Sequence, residues 1–154
     1  MKDIELELHP DKTHIVDMRC PGAAFEFLGY RFKNHKDGFL RYPRQKSIDK
    51  RKDKIRTLTP RLSGMSMECI VERINLTTKG WFEYYKHSSA NAFDREDGWI
   101  RSRLRSILSR RRKSGSRYRY GAAHSRWPSR FFHDLELFCM SSSHHLLRRQ
   151  SACR

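Results

Sequence analysis

Between Arg101 and Lys113 stand seven basic residues, Arg101, Arg103, Arg105, Arg110, Arg111, Arg112 and Lys113, with no acid among them. Such a run gains nothing from salt bridging within itself, and guanidinium groups hold phosphate through paired hydrogen bonds where lysine offers a point charge. Contact with a polyanion is the chemistry this pattern suits; a solvated helix face is the plainer alternative. An earlier run, Lys50, Arg51, Lys52, Lys54 and Arg56, repeats the theme. Arg117 and Arg119 alternate with Tyr118 and Tyr120, a pattern in which rings can stack on bases while cations follow the backbone. The candidate nucleic-acid contacts are therefore Lys50, Arg51, Lys54, Arg101, Arg103, Arg105, Arg110, Arg111, Arg112, Lys113, Arg117 and Arg119.

Other reactive residues are less suggestive. His124, His133, Cys139, His144 and His145 include zinc-ligand types, but their spacing fits no established pattern and no Cys-x-x-Cys pair is present. No cysteine stands in an activated setting, so neither a metal site nor a catalytic residue is expected. Glu96-Asp97 is a neighbouring acidic pair at the start of the arginine-bearing helix, where a favourable helix-dipole interaction accounts for it.

The charge is unevenly placed. Residues 1–43 balance at 7 basic against 7 acidic side chains, so the net +16 falls wholly on residues 44–154. Nucleic acid is the partner that best neutralises such a surplus. The 37% hydrophobic and 12% aromatic content can build a core, which excludes a disordered tail. Four scattered cysteines, no apolar run long enough to span a bilayer and no secretory pattern at Met1-Lys2-Asp3-Ile4-Glu5 point to a reduced, cytoplasmic, soluble protein without a membrane partner.

These side chains need elements to position them. Ile4, Leu6 and Leu8 alternate with glutamates, and the turn at His9–Lys12 leads to Ile15-Val16, which predicts two short strands. Phe25 to Phe32 reads as an aromatic strand in which Gly29 marks a bulge or the close approach of another backbone. Another turn leads to Phe39–Tyr42. Beyond Pro43 the period becomes helical. Ser47 is placed to cap a helix with Ile48, Ile55, Leu58 and Leu62 on one face, ended by Pro60 and Gly64. Ser66 is placed to cap a second helix carrying Ile70, Ile74, Thr77, Trp81, Tyr84 and Tyr85, whose aromatics suit a core and whose Gly80 suggests close helix contact. Phe93, Ile100, Leu104, Ile107 and Leu108 define a third. Residues 114–126 read as a basic loop, Trp127 to Phe138 as an apolar cluster that docks on the bundle, and Ser141 to Arg154 as a frayed end. The expected class is α+β, a small antiparallel sheet followed by a three-helix bundle and an appendage.

Four blocks carry a more specific likeness: Leu6–Thr13, Phe25–Phe32, Ile74–Tyr85 and Asp97–Arg105, in that order and spacing, with Arg126–Phe132 and Leu137-Phe138 behind them. Over nearly its whole length the chain resembles the C-terminal part of a group II intron reverse transcriptase/maturase. The resemblance implies that residues 1–43 are the last strands of a polymerase palm, that 44–113 are the thumb or maturase-specific domain, and that 114–154 form the appendage. It also implies primer or template contact by Lys12, Phe27, Leu28, Gly29 and Tyr30. Its partners would be structured intron RNA and a template-primer duplex. Glu136 departs from the glycine that the family often has, which bears on the turn there. The family's Tyr-Xaa-Asp-Asp segment is absent from the sequence, so this chain alone is not expected to polymerise; Mg2+, which needs converging carboxylates, belongs only to a complete polymerase. Two further readings stay open: one half of a split reverse transcriptase, paired with an N-terminal fragment that carries the aspartates, and a helix-turn-helix-like DNA-binding module. A truncated reading frame with a poorly folded product is the bland alternative.

Overall fold

Leu28 and Gly29 adopt left-handed backbone angles, φ 46° and 78°, as a two-residue hairpin turn between right-twisted strands requires. They join β1 (Ala24–Phe27) to β2 (Tyr30–His35), which pairs in turn with β3 (Gly38–Pro43). The sheet is antiparallel in the order β1-β2-β3, with Phe27 opposite Tyr30 and Phe32 opposite both Phe25 and Arg41. The computed structural model describes residues 15–20, 22–36, 38–60, 64–112 and 120–152. The strand expected at Ile4–Leu8 and the turn after it lie outside these residues. Ile15 and Val16 are exposed and form no strand.

The aromatic pattern of residues 25–32 suggests one bulged strand; the structure makes it a hairpin instead, because two consecutive left-handed residues reverse the chain. Gly29 is required on a second count. A Cβ there would stand 2.8 Å from the Tyr85 hydroxyl, so the close approach is that of a side chain, not of another backbone.

Helix α1 (Gln45–Leu58) starts beyond Arg44, ahead of the expected cap at Ser47. The Ser47 hydroxyl instead accepts from Tyr85 Oη at 2.8 Å and from Trp81 Nε1 at 3.4 Å, tying α1 to the next helix. Thr59, held out of helical geometry by the proline after it, ends α1. Helix α2 (Met67–Tyr85) opens on Ser66, whose Oγ accepts from the Cys69 amide at 3.2 Å, as expected. A Cβ on Gly80 would meet nothing within 4 Å, so Gly80 is not a contact point. Helix α3 is Asn91–Arg111. Ile55 of α1, Ile70 and Ile74 of α2, and Phe93, Ile100, Leu104 and Ile107 of α3 are fully buried together. Each such side chain contributes about 1.5–3 kcal/mol by leaving water.

The sheet docks at the C-terminal end of α2. Tyr30 Oη donates to the Tyr84 carbonyl, Tyr84 Oη donates to the Leu28 carbonyl at 2.8 Å, and the Tyr30 and Tyr85 rings lie 5.0 Å apart. After α3 the chain is more helical than the pattern suggests. Within the expected loop lies α4 (Tyr120–Arg126), which buries Ala123; α5 (Ser129–Asp134) carries the buried Phe132. The expected frayed end is α6 (Met140–Ala152). It is held because Met140 and His144 are buried and because Asp97 of α3 accepts from the Met140 and Ser141 amides at 3.2 and 2.9 Å. The link before it is clamped by Asn75 of α2, whose Nδ2 donates to the Glu136 carbonyl and whose Oδ1 accepts from the Phe138 amide, each at 2.8 Å. Glu136 sits at φ 58°, a left-handed position that suits glycine. The turn forms despite the glutamate.

Candidate nucleic-acid interface

The basic residues divide into two populations. Arg51 follows Ile48 by three positions and precedes Ile55 by four, so it lies on the apolar stripe of α1. It is 3% exposed. Its Nη2 pairs with Glu96 Oε2 of α3, its guanidinium lies 4.3 Å over the Trp81 ring of α2, and Nη1 reaches Met140 Sδ of α6. Lys52 Nζ takes the other Glu96 oxygen at 3.1 Å. Burial lowers the Arg51 pKa and the nearby Glu96 and Asp97 oppose that shift; the guanidinium stays charged, as arginine does in proteins. One ion pair thus links α1 and α3 between the faces of α2 and α6.

Arg105, 2% exposed, donates from Nε to the Trp127 carbonyl at 2.8 Å and lies 5.1 Å over the Phe132 ring. Arg103 donates to Thr59 Oγ1 at 2.6 Å, to the Thr59 carbonyl at 2.8 Å and to the Arg56 carbonyl at 3.1 Å. The Arg56 carbonyl also accepts from the amide of the cap residue Thr59 at 3.3 Å, and a cation at this end of α1 complements the negative end of its dipole. Arg111 donates to the Met65 carbonyl, which fixes the tip of α3 beside the start of α2. Arg101 is partly buried and lines a cleft with Asp97, Phe132, His133 and Cys139. The sequence places Arg51 and Arg105 among the RNA contacts; the structure corrects this, since side chains enclosed to that degree reach no phosphate while the bundle is closed.

Glu96 and Asp97 correct a second expectation. Helix α3 begins at Asn91, so the pair lies beyond the first turn and its helix-dipole benefit is small. Both are buried, Glu96 on Arg51 and Lys52, Asp97 on the first amides of α6 and on Cys139 Sγ at 3.3 Å. Burial pushes the Asp97 carboxyl above its ordinary range, and those donors and Arg101 oppose the shift. A signal for this was present: Glu96 and Asp97 stand three and four residues after Phe93 and ahead of Ile100, on the apolar stripe itself.

The second population faces water. Lys46, Lys50 and Lys54 recur every four residues along α1 and are exposed, forming one ridge. None of the three makes an ion pair among the described residues, whereas their acidic neighbours are engaged: Asp53 holds Arg56, and Asp49 accepts from Gln45. Arg110 and Arg112 are exposed at the tip of α3. Contact of Arg103 with Thr59 brings that half of α3 to the C-terminal end of α1. On the other side of α1, Arg31 and Lys33 of β2, Lys52 and Arg95 line a cleft of about 360 Å³ whose one acid, Glu96, is already paired.

The hairpin residues named for primer or template contact are together at the sheet tip. Phe27 and Leu28 are exposed, while Gly29 and Tyr30 are turned toward the α2 tyrosines. Lys12, Lys113, Arg117 and Arg119, with Tyr118, lie outside the described residues. Of the core aromatics, Tyr85 is buried and Trp81 and Trp99 pack against the cluster, but Tyr84 is exposed. Among the described residues no group of three or more His, Cys, Asp or Glu is arranged to hold a metal ion, and no helix is long and apolar enough to cross a membrane.

Comparison with curated proteins gives no match. A family model does match: group II intron, maturase-specific domain, over residues 48–127. The matched span runs from within α1 through α4 and contains the Arg51–Glu96 pair, the Arg103 cap, and Lys50 and Lys54 of the lysine ridge. It covers more than half of the chain, which therefore belongs to the group II intron maturase-specific domain family.

Proposed function

We propose that this chain is the RNA-gripping thumb of a group II intron maturase, acting in splicing of the intron and, with a catalytic palm, in reverse transcription. The observation that carries the reading is the exposed lysine ridge of α1, without ion pairs among the described residues, whose Lys50 and Lys54 lie in the family-matched span and which is continued by Arg110 and Arg112. Recognition is chiefly of phosphates and shape, since the deep groove of A-form RNA hides base edges. Structured intron RNA and a template-primer duplex fit this surface. In this reading Lys50, Lys54, Arg110 and Arg112 remain contacts, and Arg103, Arg105 and Arg51 position the helices that present them.

The test is a salt titration of binding to a structured intron transcript. With about five phosphates neutralised, the log-log slope on duplex is about −4.5. A slope near zero overturns the reading.

A second reading has its own support. Phe25, Phe27 and Phe39 lie exposed on one face of the sheet, and Leu28 beside them at the turn, which suits packing against the rest of a palm supplied by an N-terminal fragment. Co-expression with a fragment bearing the catalytic aspartates then gives primer extension; no activity across matched fragments refutes it. Groove reading by α3 in the manner of a helix-turn-helix is disfavoured, because its central residues Ile100, Leu104, Arg105 and Ile107 are buried by the surrounding helices.

A further inference from the structure

Alternation along β2 gives the sheet two unlike faces. Phe25, Phe27 and Phe39 stand on one, and Arg31 and Lys33 on the other, where they line the cleft of about 360 Å³ with Gln45, Ile48 and Lys52 of α1. Arg95 of α3 joins them in the lining. Arg31, Lys33 and Arg95 are exposed, and none of the three makes an ion pair among the described residues. Glu96, the one acid of the lining, is held by Arg51 and by Lys52 at 3.1 Å, and Glu26, opposite Arg31 in the strand pair, is held by Arg44 at 2.5 Å. Like charges gathered at one concavity repel one another, and an anion between them relieves the repulsion.

Helix α1 separates this cleft from the lysine ridge. With about 3.6 residues to the turn, Ile48 and Lys52 on the cleft wall lie roughly half a turn from Lys50. The exposed path between them carries Asp49, whose partner is the uncharged Gln45 amide, and the Asp53–Arg56 pair. That path offers a phosphate chain no net attraction. Ridge and cleft are therefore two anion surfaces and not one continuous track.

We propose that the cleft is a second phosphate site, and that the chain holds two RNA segments at once, one on the ridge and one with its phosphates on Arg31, Lys33 and Arg95. Two of these contacts are guanidinium groups, which grip a phosphate through paired hydrogen bonds. Helix α1, about 10–12 Å across with its side chains, sets the spacing of the two backbones. Each segment then meets the other at a raised effective concentration, which favours contact between strands distant along an RNA. The inference rests on the RNA-binding reading and adds to it a bridging function.

The experiment titrates the full chain into two short single-stranded RNAs of unrelated, non-pairing sequence, one carrying a donor dye and the other an acceptor. Wild type binds two RNAs per chain, and energy transfer rises to a maximum, then falls when excess protein places each RNA on its own chain. Arg31→Gln with Lys33→Gln leaves one RNA per chain and abolishes the transfer; Lys46→Gln, Lys50→Gln and Lys54→Gln together do the same from the other side of α1. Added to that ridge-substituted chain, Arg95→Gln, which is outside the sheet, lowers the salt slope of the remaining site by about 0.7 and so separates loss of a contact from misfolding of the hairpin. Arg148→Gln with Arg149→Gln, both exposed on α6, removes as much charge as the β2 pair and keeps both RNAs and the transfer. A wild-type stoichiometry of one, two RNAs still bound after Arg31→Gln with Lys33→Gln, or an equal loss in the α6 variant overturns the bridge, while salt-sensitive binding of one RNA leaves the broader reading standing. If no RNA binds at low ionic strength, both readings fall.

Discussion

Lys50 and Arg51 are adjacent on one helix and end in opposite solvents. Arg51 is sealed against Glu96, Trp81 and Met140, whereas Lys50 belongs to an exposed ridge without ion pairs among the described residues. The same division separates Arg103 and Arg105, which hold α1 and the Trp127 carbonyl, from Arg110 and Arg112 at the open tip of α3. A basic run is thus two devices interleaved at helical period: inner cations that fix the angles between helices and outer ones free to meet an anion. Only the outer set can change charge without changing shape.

Removing an inner partner is the sharpest way to break this division. Glu96→Gln leaves the Arg51 charge buried and uncompensated, and it lowers unfolding free energy by about 3–5 kcal/mol, read by chemical denaturation. A loss below about 1 kcal/mol, the size seen for exposed pairs, would mean that the pair is not sealed from water. Next, replacing Lys46, Lys50 and Lys54 together with glutamine flattens the duplex salt slope by about 2.7 while denaturation midpoints stay nearly unchanged. An unchanged slope would move the interface off α1. Arg103→Gln removes the cap on α1, costing about 1–2 kcal/mol of stability without altering the salt slope; a shifted slope would return Arg103 to the outer set.

The smallest effect is one of pH. The His144 imidazole is held below its ordinary value by burial, so the unfolded chain takes up this proton first. Stability is therefore complete above about pH 6.5 and declines as pH falls through the window just below it. His124, lowered by burial and by Arg105 and Arg101, adds in the same direction. Denaturation of His144→Phe across that window shows a shallower decline; an identical decline would remove His144 from the account.

Part of the site could be read in advance. The apolar positions of α1, α2 and α3 appear at intervals of three and four, and Ser66 before α2 carries a cap signal that acts locally. The same arithmetic places Arg51, Glu96 and Asp97 on the buried stripes, but residue type outweighs position when charged side chains are assigned to water. Helices α4 and α6 were harder to see. Their short, polar segments have weak periods, and what holds them is distant: Asp97 on the α6 amides, Arg105 on the Trp127 carbonyl, Asn75 on the link between α5 and α6.

Charge asymmetry, helical period and the family likeness are properties of residue order, and the sequence by itself determined an α+β chain with a basic helical half. Which cations face inward, where Ser47 bonds, and that Arg31, Lys33 and Arg95 share a cleft were decided by tertiary packing. Each depends on partners far away along the chain, as Arg51 depends on Glu96, and a buried charge is stable only when its partner arrives with it.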